Sequence, residues 1–553
     1  MASSSHFIDS PTRVRYVVLG LTTMVAVLLY LDRICLSFAA LYVKEDLGIS
    51  NEQMAVVLSA FFWAYALGQL PAGWLADRFG ARLMLAVYVA VWSTFTGLLA
   101  FAHGLMILIV LRLGCGLFEA GGYPAAAGLI AKWIPLSRRG LASGIVSVGG
   151  RLGGAFAPVF TAYLIFASVP VSVSSLLSPE DVLDSGALLA VKPDGKDKAA
   201  AVKIALAHRL QERLRQTSST EHADAALANA VNDLIRQPDL LEGIDISALD
   251  LPSEVSRLKD ARTGPEVERR NRLVLEAAFP SAIRKIYGAG WRPAMLVYGI
   301  GGFVVAGVFW LFFRDSPRQH PKCNAAEIAL IEGIGGQAEP KSAPGRLRFE
   351  CLLTSVGLWL SSLVQLLTNL GWAFLITWLP RYLEEAHDVP LVERGWMASV
   401  PIFVGILGML GGGWLTDTLS ARLGARWGRS APLALSRFLV MGAFIACALL
   451  HSPWAVTAAL SIVGFGTDLG TPAVWAYSLD VGGKHVGSVL GWSNMFGNLG
   501  AALSPIVLNS LIGADKNYSY MFLGCAAVFA LAGILALFLD ASKPVFPPER
   551  LAS

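Results

Sequence analysis

The chain of 553 residues is 55% hydrophobic and only 15% charged, with a mean hydropathy of +0.57, and this balance excludes an ordinary soluble globular protein. A net charge of +4 needs no nucleic-acid partner to explain it, because in membranes the distribution of Lys and Arg among short loops is what informs. The six cysteines are scattered, with no CxxC and no His cluster at metal spacing, so no metal or cofactor is expected and the thiols read as small buried hydrophobes.

A short polar N-terminus with Arg13 and Arg15 precedes the first apolar run, residues 15–40, which reads as a retained span rather than a cleaved signal. That span contains YLDRICLSFAA, with Asp32 and Arg33 about two thirds of the way across. Neighbours in sequence point to faces ~100° apart, so one can face a cavity while the other turns toward an adjacent helix. The pair suggests a proton site beside an anion site; a structural interhelical ion pair is the alternative.

The second span, 52–76, carries Tyr65 and Gln69 and ends in GWLADRFGAR, from Gly73 to Arg82. In so tight a loop Asp77 can cap the next helix or pair with an arginine across an interface, which suits a gate that opens and recloses, with Arg78 and Arg82 beside it. After a third span at 82–103, the fourth, 105–134, holds Arg112 and Glu119 in its middle. A charge at membrane depth costs at least ~2.5 to 3.5 kcal/mol, so such residues face a bundle interior or an aqueous path. Their spacing of seven is two helical turns. A carboxyl whose arginine can be drawn away to a substrate makes a proton switch, and a plain structural pair is again the alternative. Gly114, Gly116, Gly121 and Gly122 thin this helix for close packing. The fifth span, 139–168, sets Arg151 among Gly149, Gly150, Gly153 and Gly154, leaving it the polar space to point into. Three arginines around one cavity argue for an anionic substrate, because the planar fork matches a carboxylate.

Between the fifth span and the sixth, 293–313, lies a polar segment of about 120 residues. Its helical apolar spacing predicts small amphipathic helices packed as a cap or minor domain, either a decorative or partly disordered loop or a cap that captures substrate or a partner. The linker that follows the sixth span predicts a short helix with Asn324 as its N-cap. Six further spans run at 355–383, 395–418, 432–451, 454–479, 484–512 and 518–539. They contribute Gln365, Asn369, Trp372 and Thr377 on the seventh, Asp468, Thr471, Trp475 and Tyr477 on the tenth, and Asn494 and Asn498 on the eleventh. As a set these suit a hydroxylated ligand; singly, hydrogen bonds between helices, or packing for Trp372 and Trp475, explain them as well.

The two sets of six echo each other, for GGWLTDTLSARLGAR, from Gly412 to Arg426, answers the first loop and places Asp417 opposite Asp77. Such a repeat predicts an all-α membrane protein of twelve transmembrane helices in two pseudo-symmetric six-helix bundles, with the site between them. The expected division is residues 1–168 for the first five spans, 169–290 for a small, mostly helical extracytoplasmic insert, 291–314 for the sixth span, 315–350 for a cytoplasmic linker and 351–553 for the second bundle. Lys and Arg gather in the loops of one side, which predicts both termini in the cytoplasm of a multi-pass protein of the cell (inner) membrane.

The loop motif and its echo resemble the signature of the major facilitator superfamily, over essentially all twelve spans but not the insert. Within it, YLDR, the Arg112 and Glu119 spacing, ITWLPRYL from Ile376 to Leu383, RDSPRQHP from Arg314 to Pro321 and NMFGNLGAALSP from Asn494 to Pro505 resemble the anion:cation symporters, such as hexuronate, glucarate and galactonate permeases. The resemblance implies proton-coupled uptake of a sugar-acid-like carboxylate. It also implies Asp32 and Glu119 as the protonatable pair, and Arg33, Tyr65 and a polar position on the fifth span among the ligands. Here that position is Arg151 or its neighbour, where the family pattern has a smaller polar residue. The expected activity is secondary active transport by alternating access, by a monomer in the lipid bilayer; an exchanger, an uncoupled facilitator or a transporter-derived sensor are the alternatives. No nucleophile, metal set or nucleotide loop points to an enzyme.

Overall fold

The computed structural model describes residues 10–189, 200–216, 223–249, 251–280, 282–332, 347–387, 389, 391–512 and 518–546. Apolar stretches form the first bundle as α1 (Val14–Leu47), α2 (Asn51–Phe79), α3 (Ala81–Leu98), α4 (Leu105–Glu119) with α5 (Gly122–Trp133), and α6 (Arg139–Ala167). The insert supplies α7 (Ser185–Leu189), α8 (Ala200–Gln216), α9 (Ala223–Ile235), α10 (Ser253–Arg257) and α11 (Pro265–Ala278), and α12 (Trp291–Phe312) completes the bundle. Beyond the linker helix α13 (Ala325–Glu332) and α14 (Phe349–Thr354) come α15 (Val356–Thr377), α16 (Leu379–His387), α17 (Leu391–Leu449), α18 (Pro453–Leu469), α19 (Thr471–Val481), α20 (Val486–Ile512) and α21 (Tyr518–Leu537). The long α17 is two spans that turn over at Gly424, whose φ of +76° a side chain would resist. With it, the helices make the twelve spans of two six-helix bundles.

Two of those spans are interrupted, where the apolar pattern predicts continuous helices. The fourth breaks at Ala120–Gly121 between α4 and α5, and the tenth at Gly470 between α18 and α19. The local cause is shared: EAGGYP at Glu119–Pro124 and DLGTP at Asp468–Pro472 each place glycine and then proline just past a carboxylate. Glycine weakens the helix, and proline removes a donor and is tolerated only in the first turn of the piece that follows.

Hydrocarbon offers helices no hydrophobic reward for meeting, so close packing at small residues holds the bundles. A Cβ on Gly153 would lie 2.2 Å from the Val27 carbonyl oxygen, and one on Gly116 2.3 Å from that of Phe61. Thus α6 lies on α1 and α4 on α2, the close approach that the glycine spacing predicts without naming the neighbour. The halves meet through α2 on α20 and α6 on α17, again at glycine: a Cβ on Gly73 would fall 2.2 Å from the Gly487 carbonyl oxygen.

One face carries the N-terminal segment, the linker and the C-terminal tail. Arg15 pairs with Glu327 at 2.5 Å, Asn324 Oδ1 accepts from Glu327 N at 2.9 Å as the expected cap, and Val545 N donates to Val481 O. The insert stands on the opposite face. It buries an apolar core of its own, including Leu206, Leu210, Val231, Leu234, Val274 and Phe279. Arg269 ties it to the end of α6 by donating to the Val169 carbonyl at 2.6 Å, and Lys285 N donates to Glu45 on α1 at 3.1 Å. Cys35, Cys115, Cys447 and Cys525 are buried thiols, whereas Cys323 and Cys351 are half-buried.

Candidate functional site

Asp32, Arg33, Arg112, Glu119, Arg151, Arg437 and Asp468 lie within the spans, and the two interruptions position two of them. Glu119 ends α4 with its side chain buried, and its Oε1 accepts from Arg33 Nε at 2.8 Å, with an Arg33 terminal nitrogen 2.7 Å away. Glu119 Oε2 has no hydrogen-bond partner among the described residues. The spacing of seven suggests Arg112 as the partner; instead the mate of Glu119 is Arg33. Two turns are about 10 Å of helix axis, too far for a direct pair along one helix, whereas α1 passes beside the break. Arg112, 1% exposed, lies over the Phe61 ring at 4.4 Å with Nε and Nη1 unpartnered among the described residues.

Arg33 is enclosed by aromatic faces, with Tyr65 at 4.2 Å and Tyr30 at 4.9 Å from its guanidinium. Such faces favour a cation without neutralising it. The adjacent Asp32 turns the other way: Oδ2 accepts from Trp92 Nε1 of α3 at 2.8 Å, while the buried Oδ1 lacks a partner among the described residues. Trp92 escapes a reading of the sequence because nothing separates an indole that serves a carboxylate from one that packs.

In the second half Asp468 occupies the place of Glu119, two residues before the Gly470 break. Its Oδ1 accepts from Arg151 Nη2 at 2.7 Å, an ion pair that crosses from α6 to α18. The Arg151 guanidinium lies 4.5 Å over the Trp372 ring of α15. Arg33 and Arg151, expected to be held for a ligand, are therefore both engaged by carboxylates in this structure. Asp468 fits because Gly405 faces it, where a Cβ would come within 2.4 Å of Oδ2. Arg437 on α17, 2% exposed, escapes the sequence reading; its Nη1 donates to the Thr467 carbonyl at 3.1 Å. Its signal in the sequence is a lone charge in the ninth apolar run.

Trp475 meets Tyr123 edge-on across the halves, with ring centroids 5.1 Å apart. Gln365 and Asn369 of α15 border Gly497 of α20. Asn498 donates to the Asn494 carbonyl within α20 at 2.8 Å, so the structure brings that pair to each other. The side chain of Thr377 lies outside the described residues.

The terminus-bearing face is latched twice. Asp77 caps neither its own next helix nor an arginine: it accepts from Gly487 N, Ser488 N and Ser488 Oγ at 2.8, 2.7 and 2.7 Å, at the start of α20 in the other half. Asp417 accepts from Gly140 N and Leu141 N at 2.9 Å, at the start of α6. Each half thus offers a carboxylate to the positive end of a helix of the other. Arg429 braces the second latch, donating to Asp480 at 2.9 Å and lying 3.6 Å from Asp417. Arg82 holds the Trp310 carbonyl at 2.7 Å, within the first half, and Arg78 lies against Trp74 at 5.3 Å.

The family model of the Major Facilitator Superfamily matches residues 22–177, 278–505 and 418–552, leaving most of the insert outside it. A probable sulfoacetate transporter of Cupriavidus necator, SauU, is 25% identical over 98% of this chain and 97% of its own. A probable galactarate/D-glucarate transporter of Bacillus subtilis, GudP, is 26% identical over 95% of this chain and 92% of its own. The E. coli fucose:proton symporter FucP shares the fold, with a TM-score of 0.57 at 13% identity over 96% of this chain and 100% of its own.

Proposed function

Because the chain belongs to the Major Facilitator Superfamily and is a transporter rather than an enzyme, we propose that it carries a sugar-acid-like organic anion across the cell (inner) membrane together with protons. The terminus-bearing face is the cytoplasmic side, by its Lys and Arg, and the working unit is the monomer. Relatives named for sulfoacetate and for galactarate or glucarate support an organic acid as cargo. Charge supports it too. The described mid-membrane groups are four arginines, Arg33, Arg112, Arg151 and Arg437, against three carboxyls, Asp32, Glu119 and Asp468, and four minus three leaves one positive charge for an anion.

The observation that carries the proposal is the Glu119 carboxyl, which holds Arg33 through one oxygen while the other has no partner among the described residues. A substrate carboxylate arriving at Arg33 displaces Glu119, and a buried carboxylate stripped of its cation is stabilised by taking up a proton. Substrate entry and proton uptake then become one event. Asp32, one residue away with its own unpartnered oxygen, is the second proton site. Tyr65 fixes the arginine face toward the ligand, and Gln365, Asn369 and Trp372 meet the hydroxylated part from the other half.

Once both groups are loaded, the halves rock and the two latches part, exposing the site to the cytoplasm. The test is uptake of labelled galactarate, galactonate or glucuronate into proteoliposomes under an imposed pH gradient. Accumulation above equilibrium that collapses when the gradient is discharged is the expected result. Equilibration indifferent to the gradient would leave an uncoupled facilitator, and no movement of any organic acid would remove the transport assignment for this class.

A further inference from the structure

Asp468 and Arg151 form a mid-membrane ion pair whose members belong to different halves. Alternating access requires the halves to separate at the site, so this pair must open in each cycle. Opening it without replacement would strand a buried carboxylate and a half-buried guanidinium. Each therefore needs a second partner. For Asp468 the structure holds one in waiting: Arg437, 2% exposed, already donates to the carbonyl of the neighbouring Thr467, while its Nε has no partner among the described residues. The space around both is cleared by glycine, Gly405 facing Asp468 and Gly470 facing Arg437, where a Cβ would fall 2.9 Å from Nη2.

Arg151 finds no such second carboxylate among the described residues, so its replacement partner comes from outside. Aromatic rings link its neighbourhood to that of Arg33. Tyr30, which lies under Arg33, also packs against Gly150, the residue before Arg151, together with Tyr123. One extended ligand lying along those rings would meet a guanidinium at each end.

Resting on the organic-anion reading above, we propose that the cargo is a dianion with an acid group at both ends. Asp468 is then an internal stand-in for the second acid group, and Arg437 is the positioning residue that receives Asp468 when the cargo takes Arg151. A monoanion reaches Arg33 but leaves the pair across the halves closed.

The test measures binding to the purified full chain by calorimetry, with matched probes: galactarate against galactonate, and sulfoacetate against acetate. The wild type is expected to favour the dianion of at least one pair by ~10- to 100-fold, the worth of one charge-assisted hydrogen-bonded contact. Arg151→Gln should erase that preference. Asp468→Asn should move it the other way, since removing the internal competitor frees Arg151 for the ligand. Arg437→Gln should weaken dianion binding selectively, and Arg437→Lys should restore part of it. A merely structural tie predicts that Arg151→Gln and Asp468→Asn weaken all probes in parallel, and that result overturns the proposal. Should the variants fail to fold, equal affinity of the wild type for both members of each pair overturns it without them. Binding of none of the four acids is a different outcome, which removes the organic-anion reading and this inference with it.

Discussion

Glu119 and Asp468 stand at matching points of the two bundles, each closing the first piece of an interrupted helix and each bonded to an arginine. Their partners differ in kind. Arg33 belongs to the same half as Glu119, so a rocking motion of the bundles would leave that pair intact, and a chemical competitor for the arginine would open it. Arg151 belongs to the half opposite Asp468, so separation of the halves there would open that pair. The repeat thus holds two kinds of pair: one within a half, to which the proposal gives proton exchange, and one that ties the halves together. The same division appears at the latches, where Asp77 and Asp417 bind helix ends across the interface while Arg82 stays within its own half.

The contrast breaks most completely at Arg33. Arg33→Ala should abolish anion-induced thermal stabilisation, a loss of more than about 100-fold in affinity for a charge-assisted contact that has no substitute. Persisting stabilisation by sugar acids would place the anion site elsewhere.

Next in size is the interface itself. Gly73→Leu puts a side chain where the Gly487 backbone lies, a Cβ only 2.2 Å from its carbonyl oxygen. The terminus-bearing face then cannot close, so uptake should stop while anion binding survives in detergent. Normal uptake by this variant would show that the two helices need not meet.

The latches should respond locally and by less. Asp77→Asn should lower hydrogen-exchange protection at Gly487 and Ser488 by roughly 5- to 30-fold, equivalent to about 1 to 2 kcal/mol, and leave Gly140 and Leu141 unchanged. Asp417→Asn should do the reverse. Loss of protection at both sites in either variant would mean that the latches open as one.

The smallest effect is expected in the insert. It buries its own core, so replacing residues 172–282 by a short Gly/Ser linker should leave uptake measurable, loop closure costing little more for long loops than for short ones. Complete loss of uptake in a well-inserted variant would make the insert part of the mechanism.

Composition, the spacing of apolar runs and the repeated Asp77 and Asp417 loop made the twelve-span architecture legible, because in a bilayer every backbone group must be satisfied within a helix. Glycine spacing likewise marked faces that a neighbour approaches closely, as at Gly153, but not which neighbour, which is α1. Partnership among charges was less legible. Arg112 and Glu119 share one helix in the sequence, but Glu119 bonds a residue 86 positions away that three-dimensional packing alone brings near. Arg151 reads as a free cation because Asp468 lies 317 residues on. The interruptions are written in the chain as EAGGYP and DLGTP, and setting those two strings side by side marks Glu119 and Asp468 as counterparts of the repeat.

The proposed coupling turns on the Glu119 proton. Glu119→Gln mimics the protonated carboxyl and cannot release a proton on the inner side. Reconstituted into liposomes, it should bind the anion and exchange labelled for unlabelled substrate, yet fail to accumulate it when a pH gradient is imposed. Accumulation driven by the pH gradient at the wild-type level in that same preparation would contradict the role given to Glu119.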